Sequence, residues 1–250
     1  MKGKNLMKAY IIKIELEESS PLIWRRVIMP ADATFNRLHD IIQIVTNFKS
    51  GYPYDAYHLF EFDLSEENMV VTNDQEAYES HKHYMGNKDM YEERLKNMPP
   101  EMVKFAKINN EHLKKAVKKP KHYKIDEYLQ KHKNIKYIYD FGDDWHFTIK
   151  LEKIVDDYYF GFPTLLDGAE TAPPEDVGGM HGFYEFLEIY NDEKHPEHAA
   201  IKEWAEGASF REYDPDFINE ILKYIKYHKT EWDQINHENY KIIDNKYRKK

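Results

Sequence analysis

Alternating apolar and polar residues predict a β-hairpin near the start of the chain. The first strand has an apolar face made of Tyr10, Ile12, Ile14 and Leu16, with charged residues on the other face. Successive side chains of a strand point to opposite faces, so this period of two is typical of a half-buried strand. Ser19-Ser20-Pro21 predicts a turn, and Leu22 to Met29 predicts the returning strand.

A helix and a third strand follow this hairpin. Thr34 is a good N-cap, and apolar residues then recur at helical spacing as far as Phe48. Tyr57 to Leu64 alternates again and predicts a strand. The chain therefore opens in the order ββαβ, which favours a curved mixed or antiparallel sheet with a helix across one side.

The second half of the chain predicts another hairpin and a C-terminal group of helices. Apolar residues alternate from Ile135 to Phe141 and from Trp145 to Leu151, on either side of a Gly-Asp-Asp turn. Helices are predicted near 183–190, between Pro196 and Gly207, and after Asp214. The predicted fold class is α+β. Its predicted core contains Trp24, Phe35, Leu38, Ile42, Phe60, Phe62, Tyr139, Trp145 and Phe147.

The segment between the two hairpins has a different composition. Residues 65–134 are polar, basic and helix-prone, and prolines interrupt them at 99, 100 and 120. Residues 94–136 contain 13 Lys and Arg against 4 Asp and Glu, whereas residues 137–220 contain 5 against 21. We expect one α+β domain over residues 8–250, with 65–134 as a basic, mainly helical insertion. This insertion could contact nucleic acid, although a solvated lysine-rich helix explains the same composition and is favoured.

Composition excludes several classes of protein. The 250 residues include no cysteine, and the net charge is −9. Disulfides and thiolate-bound metals are therefore excluded, and a reducing compartment is favoured. We see no signal peptide and no apolar run of about 18 residues, so we expect a cytoplasmic protein without a membrane partner. Phosphate-binding glycine loops, nucleophile elbows and His-Glu-x-x-His motifs are also missing, so no catalytic residue is assigned.

Two acidic segments carry the candidate chemistry. The tip of the second hairpin, from Asp140 to His146, combines three carboxylates with an indole and an imidazole. The Gly- and Pro-rich stretch from Glu170 to His181 adds three acids and a histidine. Carboxylates with histidine can bind a divalent cation or share a proton. Tight turns and helix capping explain the same residues, so both interpretations stay open.

Arginines of the first hairpin could complete a cleft with these acids. Arg25 or Arg26 could balance clustered carboxylates, which would otherwise repel one another and raise their own pKa values. His58 lies on an apolar strand face, so we expect an ordinary core histidine there. The candidate metal ligands are Asp143, Asp144, Asp176 and His181. The candidate cleft consists of Trp24, Arg25, Arg26, Asp140, Asp143, Asp144, Trp145, His146, Glu170, Glu175, Asp176 and His181.

These segments occur in an order that resembles a known family. The blocks are Pro21-Leu22-Ile23-Trp24-Arg25-Arg26-Val27, Leu38-His39-Asp40-Ile41-Ile42-Gln43, His58-Leu59-Phe60-Glu61-Phe62, Tyr139-Asp140-Phe141-Gly142-Asp143-Asp144-Trp145, Pro173-Pro174-Glu175-Asp176-Val177-Gly178-Gly179 and His195-Pro196-Glu197-His198. Together they resemble the plasmid pRiA4b ORF-3-like family over residues 10–64 and 135–220. The resemblance implies an α+β domain of bacteria and archaea, found on plasmids and near mobile elements, where some members carry a transposon-passenger, resolvase-like label. Many relatives have cysteines near Leu165, Ala172 and Val177, which this chain lacks.

Three functions are compatible with the sequence. The leading hypothesis is a non-enzymatic binding or accessory protein, with a groove between the two hairpins and the Gly/Pro-rich loop for a protein or small-molecule ligand. The second is a metal-dependent hydrolase or nuclease that uses a divalent metal and Asp140, Asp143, Asp144, Glu175, Asp176 and His181. The third is a DNA-associated mobile-element factor that uses the basic insertion.

The third hypothesis can be tested with duplex and single-stranded DNA. We expect weak or no binding at physiological salt, because the acidic remainder of the chain opposes a polyanion. Affinity measured over a salt series is the decisive observable, since each phosphate that a protein neutralises steepens its salt dependence. A tight, salt-sensitive complex would contradict this expectation.

Overall fold

The computed structural model describes residues 7–51, 57–158 and 162–224. The strands in these residues are β1 (Met7–Leu16), β2 (Trp24–Pro30), β3 (Phe60–Leu64), β4 (Met69–Thr72), β5 (Ala116–Lys118), β6 (Asn134–Tyr139), β7 (Trp145–Tyr158) and β8 (Thr164–Ala169). They form one sheet in the order β5-β4-β3-β6-β7-β1-β2-β8. Only the β4–β5 pair among them is parallel.

Helices cover this sheet and follow it along the chain. They are α1 (Phe35–Val45), α2 (Gln75–Gly86), α3 (Lys88–Lys96), α4 (Pro100–Lys114), α5 (Asp126–His132), α6 (Gly179–Asn191), α7 (His198–Gly207) and α8 (Pro215–Tyr224). The α+β class, the ββαβ opening and the C-terminal helices are thus confirmed. No helix in the described part of the chain is both long and apolar enough to cross a membrane.

Helix α1 covers one side of the main core. Thr34 caps its first turn, where the side-chain oxygen accepts a hydrogen bond from the Arg37 N–H at 3.3 Å. The helix lies against the aromatic face of β3. Its His39 ring stacks on Phe60 with 3.8 Å between ring centroids, and Phe35 packs against Phe62.

The predicted core is correct except at one position. Trp24 is only half-buried, and it lies on the outer face of β2 beneath the Lys13 and Arg26 side chains. Its neighbours Ile23 and Arg25 point inward instead. The other members, Phe35, Leu38, Ile42, Phe60, Phe62, Tyr139, Trp145 and Phe147, all belong to one buried cluster. A smaller apolar cluster that includes Ala9, Ile11 and Tyr158 forms separately.

The segment 65–134 contributes both helices and strands. Strands β4 and β5 extend one edge of the sheet, and Leu129 of α5 reaches the main core. On α4, by contrast, Met102, Phe105 and Ile108 are exposed. The segment is therefore mainly helical, and its status as an insertion in a single domain stays a prediction.

Replacing Trp145 by alanine should destabilise the protein strongly. Only 1% of Trp145 is exposed, and its ring packs against Phe48. Removing such a side chain leaves a cavity and costs about 3–5 kcal/mol. Chemical denaturation should report this loss, while Phe141→Ala in the adjoining exposed turn should change stability by less than about 1 kcal/mol. Equal stability of the Trp145→Ala and wild-type proteins would contradict the assignment of Trp145 to the core.

Candidate functional site

Three separate segments meet beside the β3–β6 strand pair. Phe60 pairs with Tyr139, so the residues that flank this pair are neighbours. The Asp140 N–H extends the pairing by donating to the Leu59 carbonyl at 2.9 Å. The loop after β8 approaches from the other side through a bridge between Asn47 and Pro174. His58, Asp140 and Glu175 are brought together as a result.

The backbone of His58 is held on both sides. Its N–H donates to the Ser50 hydroxyl at 2.8 Å, and its carbonyl accepts from the Asn73 side-chain amide at 2.9 Å. The side chain is 20% exposed. This anchoring places the imidazole between the turn that carries Asp140 and the loop that carries Glu175.

The three side chains could hold a metal ion. One potential ligand atom from each of His58, Asp140 and Glu175 lies within 4.8 Å of the other two. We call these three residues the His58 cluster. The imidazole Nδ1 is 3.5 Å from Asp140 Oδ1, and Nε2 is 3.8 Å from Glu175 Oε2. Nε2 is also 3.7 Å from Oδ1 of Asp176, whose side chain is 73% exposed.

Glu175 is the buried carboxylate of the cluster. Only 5% of the residue is exposed. Its Oε1 accepts hydrogen bonds from the Tyr139 hydroxyl and from the Lys49 backbone N–H, both at 2.6 Å. Burial raises the pKa of the Glu175 carboxyl, and these two hydrogen bonds oppose the rise because they stabilise the charged form.

Within the described residues, the second oxygen of Glu175 receives no hydrogen bond of normal geometry. Burial, together with the nearby carboxylates of Glu175 and Asp176, raises the pKa of Tyr57 to about 12. Glu175 Oε2 and His58 Nε2 are both buried, and neither has a hydrogen-bond partner in the described part of the chain. Leaving a buried polar atom unpaired costs about 1–3 kcal/mol, so such atoms call for an explanation. Here the two unpaired atoms face each other.

Arg25 and Arg26 do not balance the charge of this cluster, contrary to expectation. Arg25 is buried and donates to the carbonyls of Val45, Trp24 and Ala169 at 2.7–2.8 Å. Its guanidinium also lies 4.1 Å from the centre of the Tyr213 ring. Arg26 pairs instead with the carboxylates of Glu152 and Asp167. Arg25 therefore links β2 to β8 and to the end of α1, whereas Arg26 links β2 to β7 and β8.

Three of the four candidate metal ligands are engaged elsewhere. Asp143 accepts a hydrogen bond from the Gly178 N–H at 3.1 Å. Asp144 pairs with His146 at 2.8 Å, on an exposed surface. His181 is 86% exposed and lies 3.7 Å from Glu185. Only Asp176 borders the His58 cluster.

The hairpin tip and the Gly/Pro-rich loop nevertheless contact each other. The Gly179 backbone has a φ of +69°, and a Cβ there would lie 2.9 Å from the Asp143 carbonyl oxygen. Glycine is required for this approach, because a side chain would clash with the backbone of the turn. The contact fixes the position of the loop that carries Glu175.

The remaining cleft candidates lie outside the cluster. Trp145 is a core residue, and Trp24 lies on the outer sheet face. Glu170 borders a separate open groove of about 250 Å³, which runs between the β1–β2 turn, the Gly/Pro-rich loop and α6. Aromatic residues Phe183, Tyr184 and Tyr190 line one side of this groove.

His58 is the member of the site that sequence reasoning missed. Its place in the alternating pattern of Phe60, Phe62 and Leu64 suggested a core position, but β3 begins only at Phe60. The chain at residue 58 is still irregular, so the imidazole is turned toward the loops. Nothing in the alternating pattern separates this position from the strand, which begins two residues later.

The segments that form this site also lie within a known protein family. The model of the family described as plasmid pRiA4b ORF-3-like protein matches residues 8–221. The chain belongs to this family. That range contains His58, Asp140 and Glu175, together with the entire described sheet from residue 8 onward.

Two relatives of this pRiA4b ORF-3-like chain share most of its length. It is 26% identical over 199 residues to an uncharacterized protein, y4hQ, of Sinorhizobium fredii, covering 80% of this chain and 81% of that protein. It is also similar to the crystal structure of a protein of unknown function, MM3350, from Methanosarcina mazei Go1. There the TM-score is 0.58 and the identity 27%, covering 84% of this chain and 97% of the other.

A buried polar network supports the cluster of this family member from below. The His39 ring is fully enclosed, with Nδ1 2.8 Å from the Tyr137 hydroxyl and Nε2 2.6 Å from the Ser50 carbonyl. Ser50 in turn holds the backbone of His58 through its hydroxyl. Burial lowers the pKa of His39 to about 3, because the charged imidazolium would lose its hydration.

This network predicts a loss of stability in acid. Folding holds His39 neutral, whereas the unfolded chain binds a proton at a pKa of about 6.5. Above pH 6.5, His39 is neutral in both states and does not lower the free energy of unfolding. Below pH 6.5 the unfolded chain takes up a proton that the folded protein does not, so the free energy of unfolding falls as the pH drops toward about 3. This uptake of a proton at His39 lowers the free energy of unfolding by up to about 1.4 kcal/mol per pH unit.

The prediction can be measured by denaturant unfolding at several pH values. His39→Gln keeps one donor and one acceptor but does not titrate, so its stability should decline less steeply between pH 6 and about 4 than that of the wild type. Identical slopes for the two proteins would exclude His39 as a source of acid sensitivity.

Proposed function

We propose that this protein binds a divalent cation at the His58 cluster and acts as a binding or accessory protein. The observation that carries the proposal is a pair of buried atoms, Glu175 Oε2 and His58 Nε2, which face each other at 3.8 Å and have no hydrogen-bond partner in the part of the chain that the structure describes. A cation between them would supply the missing partner of both. It would also offset the burial of the Glu175 charge.

The spacing of the cluster favours a metal ion over a shared proton. A charged imidazolium that bridges two carboxylates would make hydrogen bonds of about 2.7–2.9 Å. The distances from the ring to Asp140 and Glu175 are 3.5 and 3.8 Å instead. Two ligands of one metal at about 2.1 Å stand about 3.0–3.5 Å apart, so only a small contraction is needed.

The ligand chemistry narrows the choice of ion. One imidazole with carboxylates suits Zn²⁺, Mn²⁺ or Fe²⁺ better than Mg²⁺ or Ca²⁺, which favour oxygen ligands throughout. Thiolate-bound ions are excluded because the chain has no cysteine. Zn²⁺ and Mn²⁺ are the practical probes, since neither requires anaerobic handling.

A metal-dependent hydrolase or nuclease is the second candidate. Its support is the partial exposure of the cluster, because the 20% exposed His58 side chain and the outward Asp176 leave room for a metal-bound water. Such a water is the usual nucleophile of catalytic metal sites. Phosphodiester and ester substrates in the presence of Mn²⁺ or Zn²⁺ would test this activity.

The groove beside α6 supports the binding role independently of the metal. It lies between the first hairpin and the Gly/Pro-rich loop, close to where a ligand groove was expected, and its volume of about 250 Å³ suits part of a small ligand or peptide. Aromatic side chains in its wall would supply apolar contact area at low entropic cost.

The nucleic-acid role is the least supported of the three. Several lysines of the basic stretch 94–136 already pair with carboxylates outside that stretch. The pairs are Lys124 with Asp32, Lys131 with Glu67 and Lys136 with Glu17. Internal pairing reduces the charge available to a polyanion.

We also infer a cytoplasmic location from the absence of cysteine.

Metal addition should stabilise the protein by mass action. At an ion concentration of about 100 times Kd the gain is about 2.7 kcal/mol, which for a chain of this length raises Tm by roughly 5–10 °C. Thermal melts of chelator-treated protein with and without Mn²⁺ or Zn²⁺ measure the effect, and calorimetry gives the stoichiometry.

Two matched variants separate this site from other acidic residues. Glu175→Gln keeps the acceptor for Tyr139 and Lys49 but removes the charge, so the metal-dependent rise in Tm should disappear. Glu170→Gln, an exposed acid of the same loop, should leave the rise unchanged. A rise that persists in Glu175→Gln, or one absent from the wild type, would refute the proposed cation site.

A further inference from the structure

The carboxylates around His58 face different atoms of its ring. Asp140 Oδ1 lies 3.5 Å from Nδ1, whereas Glu175 Oε2 and Asp176 Oδ1 lie 3.8 and 3.7 Å from Nε2. The lone pairs of the two ring nitrogens point away from each other, so one imidazole offers only one nitrogen to a given ion. The three carboxylates therefore cannot have the same role.

The unpaired atoms distinguish the two ring nitrogens from each other. Among the described residues, neither Nε2 nor Glu175 Oε2 has a hydrogen-bond partner, although both atoms are buried, and Glu175 is only 5% exposed. On the opposite side of the ring, Asp140 Oδ1 already accepts a hydrogen bond from the Gly142 N–H at 3.0 Å. Asp140 Oδ1 is 3.5 Å from Nδ1, so the ring and this carboxylate must approach by about 0.5 Å before the ring N–H can donate to it.

We propose that the cation binds between His58 Nε2, Glu175 Oε2 and Asp176 Oδ1, while Asp140 orients the ring by accepting the proton of Nδ1. This division of roles rests on the proposed function. It makes Asp140 a positioning residue. It also adds Asp176 as a metal ligand: Asp176 Oδ1 is 3.7 Å from Nε2 but is not among the ligand atoms that already lie within 4.8 Å of one another, so its exposed side chain must turn toward the ion. A carboxylate that holds the remote nitrogen of a metal-binding histidine is a common arrangement, because it fixes the tautomer and raises ligand basicity.

The exposure of Asp176 determines the character of the site. With 73% of its side chain in solvent, Asp176 lies at the mouth of the cluster, and Glu175 lies at its base. Its backbone φ of +56° turns the chain back at this point, before Gly178 and Gly179. Three ligands on one side leave the solvent side of the ion to water, so the ion should exchange readily.

Nitrogen NMR on the full chain tests the assignment directly. In protein labelled with ¹⁵N at histidine, two-bond proton–nitrogen correlations show which ring nitrogen binds Zn²⁺ and which carries a proton, and His58→Gln identifies the signal. We expect Zn²⁺ to shift Nε2 of His58, with Nδ1 protonated. Zn²⁺ on Nδ1 would overturn the assignment and leave the cation site standing, whereas no Zn²⁺-dependent change at His58 would overturn both.

Mn²⁺ titrations of three variants test the carboxylates. Asp176→Asn should weaken binding at least about tenfold through the loss of a charged ligand, without changing Tm in chelator. Asp140→Ala should weaken binding about 10–100-fold, and Asp140→Asn should recover part of this loss, since its carbonyl oxygen still accepts the ring N–H. Asp144→Asn, a nearby exposed acid, is the control and should bind as the wild type does.

Two results would contradict the division of roles. Unchanged affinity in Asp176→Asn would remove Asp176 from the ligand set. Equal losses in Asp140→Ala and Asp140→Asn, at unchanged metal-free Tm, would mean that Asp140 is a charged ligand and not an orienting group.

Discussion

Enclosing the carboxylate of Glu175 is the constraint that organises this end of the molecule. A carboxylate removed from water must receive hydrogen bonds or a counter-charge, since its lost hydration is worth several kcal/mol. Tyr139 from β6 and the backbone of Lys49 after α1 meet that need for one oxygen. The Gly/Pro-rich loop, β6 and the end of α1 are thereby fixed relative to one another. The second oxygen of Glu175 stays available to bind a ligand.

The elements of the fold could be predicted because their signals are local. The period of two in β1, the N-cap at Thr34 and the alternation around the Gly-Asp-Asp turn each depend on neighbours within a few residues. The structure shifts the ends of these elements by a few residues in both directions: α6 begins earlier than predicted, at Gly179, whereas α1 ends earlier, at Val45. Short strands such as β5 carry too little pattern to be recognised, and the pairing of β5 with β4 depends on contacts distant in sequence.

The site was predictable only in part, for the opposite reason. Asp140, Glu175 and Asp176 stood out because turns and glycine-rich loops limit the choice of residue. Their partner His58 did not, because the ββαβ pattern contains no information on where an irregular residue before a strand points. Distances between residues 58, 140 and 175 arise from strand pairing across the sheet, which a single sequence does not encode.

In the first hairpin, hydrogen bonds to backbone carbonyls bury an arginine and leave the adjacent tryptophan partly exposed. A tryptophan would ordinarily occupy the core and an arginine the surface. Here Arg25 points inward because three carbonyl oxygens and the Tyr213 ring satisfy its guanidinium, and Trp24 is left outside. A guanidinium can serve in this way because its donors form a planar fork, which a lysine ammonium could not reproduce.

The hydrogen bond from Asp140 to Leu59 links the cluster to the register of the β3–β6 strand pair. A slip of one residue would exchange the two faces of the strand and move Asp140 by more than 3 Å along it. The His58 ring would then lose the carboxylate beside Nδ1. Any ion held by the ring and its carboxylates would thus bind strongly only to chains in which this pair has its native alignment, so ion occupancy would distinguish correctly aligned sheets from slipped ones.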